Sequence, residues 1–284
     1  MALSNPAFSR NPAFKPNSPV DGATVATETN ALATADGIQS LYEAPAATSA
    51  DTGRMTYEDT VVKTVLLFVV ILATAAVGWF FPVLMLPGAI VGLVLGLVNS
   101  FKRTPSPALI LLYGAAQGLF IGGISALFES LWNGVVIQAV IATLAVFAIT
   151  LVLFSFGKVR ASARATKVFL VAIIGYALFG IVNLVVMMFG GFSQSSTGGP
   201  FGIYSMPLPW LFGIPLGVII GIVAVLLAAY SLVLDFDFIQ NGVRNRAPRV
   251  MGWYGAFGLA VTLIWLYVEF LRLFAILAGG GGRS

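Results

Sequence analysis

Asp235 and Asp237 stand two positions apart at the end of one of the chain's longest apolar runs, and Arg244, Arg246 and Arg249 follow them. Carboxylates so placed can hold a proton or a hard cation, and few other groups in the chain compete for a chemical role. Only 11 acidic residues occur, with neither cysteine nor histidine. Disulfides, thiolate nucleophiles, Cys/His metal centres, histidine-ligated haem and Ser-His-Asp triads are thereby excluded by inventory. Without histidine, the side chain whose ordinary pKa lies nearest neutrality, any pH response has to come from carboxylates.

The other charges embedded in apolar sequence are Glu269 and Arg272 near the end of the chain and Glu129 before Trp132. Ionisable residues within membrane spans are expensive and default to functional candidates. On a helix, Asp235 and Asp237 are about 200° apart, so at most one looks into a bundle. Asp235 shares its face with Ser231 and Ile239 and is the favoured inward residue, about 10 Å inside the helix end; Asp237 is assigned to the interface. The plainer alternative has both carboxylates interfacial and paired with the arginines beyond. Glu269 and Arg272, at i and i+3, are spaced to form a salt bridge, which is either structural or an outer station. Glu269 falls roughly 28 Å up its span, so it is not expected to touch Asp235; if the two cooperate, they do so as inner and outer stations on one path. In "TYEDTVVKT", Thr56 is the expected N-cap, with Glu58, Asp59 and Lys63 filling a first turn. Neither this turn nor Glu129 suggests a function beyond helix ends.

The elements that must position these residues are membrane helices. The chain is 58% hydrophobic and only 9% charged, with a mean hydropathy of +0.96, outside the range of soluble domains. Seven apolar spans, each able to cross a hydrocarbon core of about 30 Å, read as 61–81, 83–101, 106–128, 133–156, 167–190, 209–241 and 250–277. Pro82 and Pro87 favour a break between the first two over one long helix. The expected fold class is an all-α seven-helix membrane bundle over 56–278, with a disordered tail at 1–55 and a short flexible tail at 279–284. The first tail carries "NPAF" at 5–8 and 11–14, read as solvated low complexity, with a partner motif as the alternative.

Lys102 and Arg103, then Lys158, Arg160 and Arg164, then Arg244, Arg246 and Arg249 follow the even-numbered spans, while the loops after spans one, three and five carry no Lys or Arg. That asymmetry places the N-terminus in the cytoplasm and the C-terminus outside. A net charge of +4 in scattered clusters argues against nucleic-acid binding. The outer loop at 191–208 reads as long and flexible, with no catalytic pattern. Glycines at every fourth position, Gly88/Gly92/Gly96, Gly114/Gly118/Gly122 and Gly213/Gly217/Gly221, predict close helix packing in spans two, three and six, with a hinge as the alternative.

Four segments in order, "FPVLMLPGAIVGLVLGLVNSFKR", "YGAAQGLFIGGIS", "LVLDFDFIQ" and "GWYGAFGLAVTLIWLYVEFLRLFAIL", resemble the Bax inhibitor-1 family (transmembrane Bax-inhibitor-motif proteins) in its bacterial branch, over about residues 56 to 277. The resemblance implies a bundle with the last helix at its centre. It also implies a pH-sensitive calcium leak in which acids on helices six and seven share a proton and a basic residue ending helix two helps hold the pore shut. Carried over by position, these roles fall on Asp235 and Arg103, and the arginine of the family's closing motif falls on Arg272. Ten residues before that arginine, where the family usually has Asp, this chain has Thr262; Glu269 lies on roughly the same face two turns further out. Gln117 likewise stands where the family often has Glu. Two carboxylates in contact cannot both ionise cheaply, whereas one carboxylate beside an arginine stays charged. Weaker gating near neutrality is therefore expected unless Asp237 or Glu269 supplies the second acid.

The expected function is a pH-sensitive cation leak in the bacterial cytoplasmic membrane, with Asp235 and Glu269 as transient calcium ligands in a site too poor in oxygens for tight storage. No enzyme activity and no resident cofactor are expected; the partners are the bilayer, cations and protons. The alternative is a non-conducting regulator that binds a membrane protease or stress factor. A retinal protein is disfavoured because span seven has no lysine, and an intramembrane protease because no two aspartates can be placed face to face.

Overall fold

The computed structural model describes residues 53–188, 201–209 and 213–280. Among these residues seven helices are long and apolar enough to cross a membrane, the second of them taken with the turn that begins at Pro82: α1 Tyr57–Phe80, α2 Met85–Phe101, α3 Pro107–Leu131, α4 Val135–Ser155, α5 Ala163–Met188, α6 Leu216–Arg244 and α7 Gly252–Gly280. The chain is an all-α membrane bundle, as the hydropathy pattern predicts.

The helix ends follow local chemistry. Thr56 caps α1 by accepting from the Asp59 amide at 3.2 Å. Pro82 opens a 3-10 turn over Pro82–Leu84 that separates α1 from α2, and Pro107 occupies the first turn of α3, where no amide is missed. Gly134, at φ 86°, makes the turn into α4, and the Glu129 carboxylate accepts from the Gly134 and Val136 amides at 2.7 and 3.2 Å. Glu129 is thus a cap across the α3–α4 turn.

Three expectations at the edges need correction. Span six begins at Leu216 rather than 209, because Pro207–Leu208 (β1) and Ile214–Pro215 (β2) pair as a short antiparallel hairpin ahead of it. Gly213 sits in that hairpin's turn at φ 75°, so only Gly217 and Gly221 belong to the α6 stripe. Finally, Gly53–Met55 is no free tail: the Met55 amide donates to the Ala247 carbonyl at 2.8 Å, the Arg249 amide donates to the Gly53 carbonyl at 2.9 Å, and the Met55 side chain is buried. The remainder of the tail, with its repeats, lies outside the described residues, as do 281–284.

The glycine stripes let α3 sit tightly between its neighbours. A methyl at Gly88 would come within 2.8 Å of the Ala116 carbonyl, and methyls at Gly118 and Gly122 would overlap the Ile71 and Ala75 carbonyls of α1. Where lipid offers no hydrophobic drive, such backbone proximity supplies the packing. The last helix is the hub. It packs on α1, α3, α4 and α6, reaches α2 through Tyr254 and the Lys102 carbonyl, and reaches α5 through Glu269 and Tyr176. Its most apolar stretch is 56% buried against 11% for α5, which leaves α5 at the rim.

Candidate functional site

Two polar clusters lie on α7, and a third joins its beginning to α1. The first is Asp235. Thr262 Oγ1 donates to its carboxylate at 2.6 Å, and Ser231, one turn earlier on α6, lies 3.2 Å from the same Thr262 oxygen. Because the single Thr262 proton is committed to Asp235, Ser231 must be the donor to Thr262, giving a relay Ser231 to Thr262 to Asp235. Gly258 makes room for it: a methyl there would stand 2.7 Å from an Asp235 oxygen. Asp235 is nine residues from the end of α6 and Thr262 ten from the start of α7, so both lie about 14–15 Å from the end of the bundle that bears the basic loops.

The face assignment for the two aspartates holds. Asp235 looks onto α7, while Asp237 accepts from its own helix neighbour Asn241 at 2.9 Å. Neither aspartate forms an ion pair with the arginines beyond among the described residues.

About 10 Å further along α7 is the second cluster. Glu269, 2% exposed, is paired with Arg272. Its other oxygen accepts from Tyr176 of α5 and from Trp265 Nε1, the latter at 3.3 Å. Arg272 lies over the Tyr204 ring at 4.0 Å. Tyr204 comes from the segment after α5 and is buried, so residues 202–205 of the supposed flexible loop form a 3-10 turn that closes this cluster. Glu269 and Arg272 therefore pair as their spacing predicts, and Glu269 does not meet Asp235.

The third cluster was not anticipated as more than a first turn. Asp59 and Lys63 are buried and paired. Arg249 Nε donates to the other Asp59 oxygen at 2.8 Å, and Lys63 Nζ donates to the Arg249 carbonyl at 2.7 Å. The sequence signal was available in the i,i+4 spacing of Asp59 and Lys63, but nothing in it pointed to Arg249. Arg103, by contrast, is exposed in the loop after α2 and enters no ion pair among the described residues.

No group of three or more metal-binding side chains occurs among the described residues. The Asp235 carboxylate and the Thr262 and Ser231 hydroxyls are too few oxygens to satisfy a calcium ion unaided, and would suit one passing through with its own water.

The family comparison agrees with the resemblance at the level of the family and extends it along the chain. The sequence model described as Bax inhibitor 1 like matches residues 5–279, taking in the tail with both Asn-Pro-Ala-Phe repeats as well as the bundle. The comparison with curated proteins gives no match. With nearly the whole chain matched, and six of the seven described spanning helices arranged around the last one, this chain belongs to the Bax inhibitor 1 like family.

Proposed function

We propose that the protein is a pH-sensitive cation leak, with calcium the best-suited ion, and that Asp235 is its inner station. The observation that supports this is a carboxylate set deep in a membrane bundle against the Thr262 hydroxyl, itself backed by Ser231, and in no ion pair among the described residues. An ionised carboxylate there needs a counterion, and a proton and a cation are alternatives for that role. Glu269, on α7, is the outer station, held until its Arg272 partner moves. Arg103 acts from the basic end, as the resemblance implies. In this reading the membrane is the bacterial cytoplasmic membrane, with the basic end in the cytoplasm and the C-terminus outside, an orientation that the positive loops support. The reading includes neither catalysis nor a resident cofactor.

Purified protein in liposomes loaded with a calcium indicator tests this between about pH 6 and pH 8. Flux above empty liposomes that changes with pH, and loses that change in Asp235→Asn, is the expected result. Absence of flux at every pH overturns the reading.

A specific observation favours a second reading, a non-conducting regulator that binds a membrane protease or stress factor. Both Glu269 oxygens already have partners, and Asp235 faces an alcohol where the family resemblance implies an acid. Co-purification of a membrane protease with the full chain, together with the absence of flux, would establish it.

A further inference from the structure

We infer that the groove between α1 and α4 is a binding site for one phospholipid with an anionic headgroup. The two helices stand apart over α6 and α7 and leave a groove of about 770 Å³, within the size range of lipophilic ligand sites, roughly 300–1,000 Å³. It is more than a lipid-facing surface. Its floor includes Phe236, Ile239 and Leu259, which belong to the buried core. A bilayer chain lying there would fill space that the protein's own side chains leave open.

The groove has the polarity of a lipid. Val65, Phe68 and Leu72 of α1 face Leu144, Phe147 and Leu151 of α4 along the shaft. Tyr57, Thr60, Thr64, Ser155 and Gln240, its polar lining residues, all lie toward the basic end, at the start of α1 and the ends of α4 and α6. From Tyr57 to Leu72 is about 22 Å at the helical rise. One leaflet of hydrocarbon is about half of 30 Å, so the groove holds an acyl chain and reaches several ångströms into the headgroup layer.

Charge selects the headgroup. Lys158 follows the last turn of α4, its amide bonded to the Leu153 carbonyl at 2.9 Å. Arg244 is one turn beyond Gln240 on α6. Both are exposed and in no ion pair among the described residues. Of the described acids at this end, Asp59 is neutralised by Lys63 and Arg249, while Glu58 and Asp237 are outnumbered by the exposed Lys158, Arg160, Arg244 and Arg246. Basic residues beside a membrane surface favour anionic lipid over zwitterionic lipid.

The seat also has a neighbour. Ile239 and Leu263 line the groove and adjoin the turns carrying Asp235 and Thr262. A seated chain would therefore exclude water from the side of the bundle at that level.

Native mass spectrometry of the full-length protein, delipidated in detergent and titrated with phosphatidylglycerol or phosphatidylcholine, tests the site. The expected result is one retained phosphatidylglycerol, bound about tenfold or more tightly than phosphatidylcholine. Val65→Trp, which fills the shaft, should abolish that single retained lipid. Lys158→Gln combined with Arg244→Gln should keep a bound lipid but equalise the two headgroups. A second measurement does not depend on a filled groove folding. The chain has no cysteine, so Leu151→Cys in the groove and Leu170→Cys on exposed α5 each give a single thiol. Phosphatidylglycerol should slow maleimide alkylation at position 151 and leave position 170 unchanged. Equal protection at both positions, or undiminished retention by Val65→Trp, overturns the proposal.

Discussion

Thr262 on α7 donates a hydrogen bond from its hydroxyl to the Asp235 carboxylate on α6 at 2.6 Å, so Asp235 is answered across the bundle by an alcohol rather than by a second acid. Thr262→Val should leave the buried carboxylate without its donor and cost about 1–3 kcal/mol. Thr262→Ser should cost much less, because the donor remains. Thermal unfolding in detergent, read by circular dichroism, ranks the two.

Converting that alcohol to an acid is the sharper experiment. In Thr262→Asp two carboxylates would meet, and since both cannot ionise cheaply they would share a proton. We expect a steeper pH dependence of calcium flux in liposomes than in the wild type, and loss of that steepness when Asp235→Asn is added. Unchanged pH profiles in both variants would show that this contact does not report pH.

The Glu269–Arg272 pair is buried among Tyr176, Trp265 and Tyr204. Removing one partner leaves an uncompensated charge in a dry site, so Glu269→Gln and Arg272→Met should each cost about 3–5 kcal/mol. The double variant should cost clearly less than the sum, since no bare charge is left. A double-mutant cycle on detergent-solubilised protein measures the coupling.

Asp59 ties the start of α1 to both Lys63 and Arg249. Its side chain is 5% exposed, while that of Arg249 is 46% exposed. Asp59→Asn should therefore cost about 3 kcal/mol, leaving Lys63 buried without its acid, whereas Arg249→Ala should cost about 1 kcal/mol or less. Limited proteolysis before Met55 should accelerate in the same order, because the segment 53–55 is held by the same loop.

Close packing gives a contrast between glycines. A side chain at Gly122 meets the Ala75 carbonyl and the Trp79 amide of α1, whereas nothing lies within 4 Å of a methyl at Gly175. Gly122→Leu should abolish a monodisperse folded species on size-exclusion chromatography. Gly175→Ala should leave it intact and raise the helix's stability by about 0.5–1 kcal/mol.

The sequence by itself determined that the chain is a seven-helix membrane bundle, because apolar length and the placement of proline and basic residues are local properties that the bilayer reads directly. It also determined that Asp235 and Asp237 face different ways and that Glu269 and Arg272 pair, since helix period alone decides both. Packing on another segment was beyond it. Thr262 could be aligned with an expected acid, but that its hydroxyl meets Asp235 depends on the register of α6 against α7. Tyr176 and Tyr204 carry no mark of their role in "VAIIGYALFG" and "GIYSMPL", because their partners are roughly 70 to 90 residues away. Arg249 resembled a topology signal like its neighbours until the fold brought Asp59 to it across 190 residues. Such contacts arise where helices distant in sequence share one hub, and only tertiary structure decides which polar groups are stranded there together.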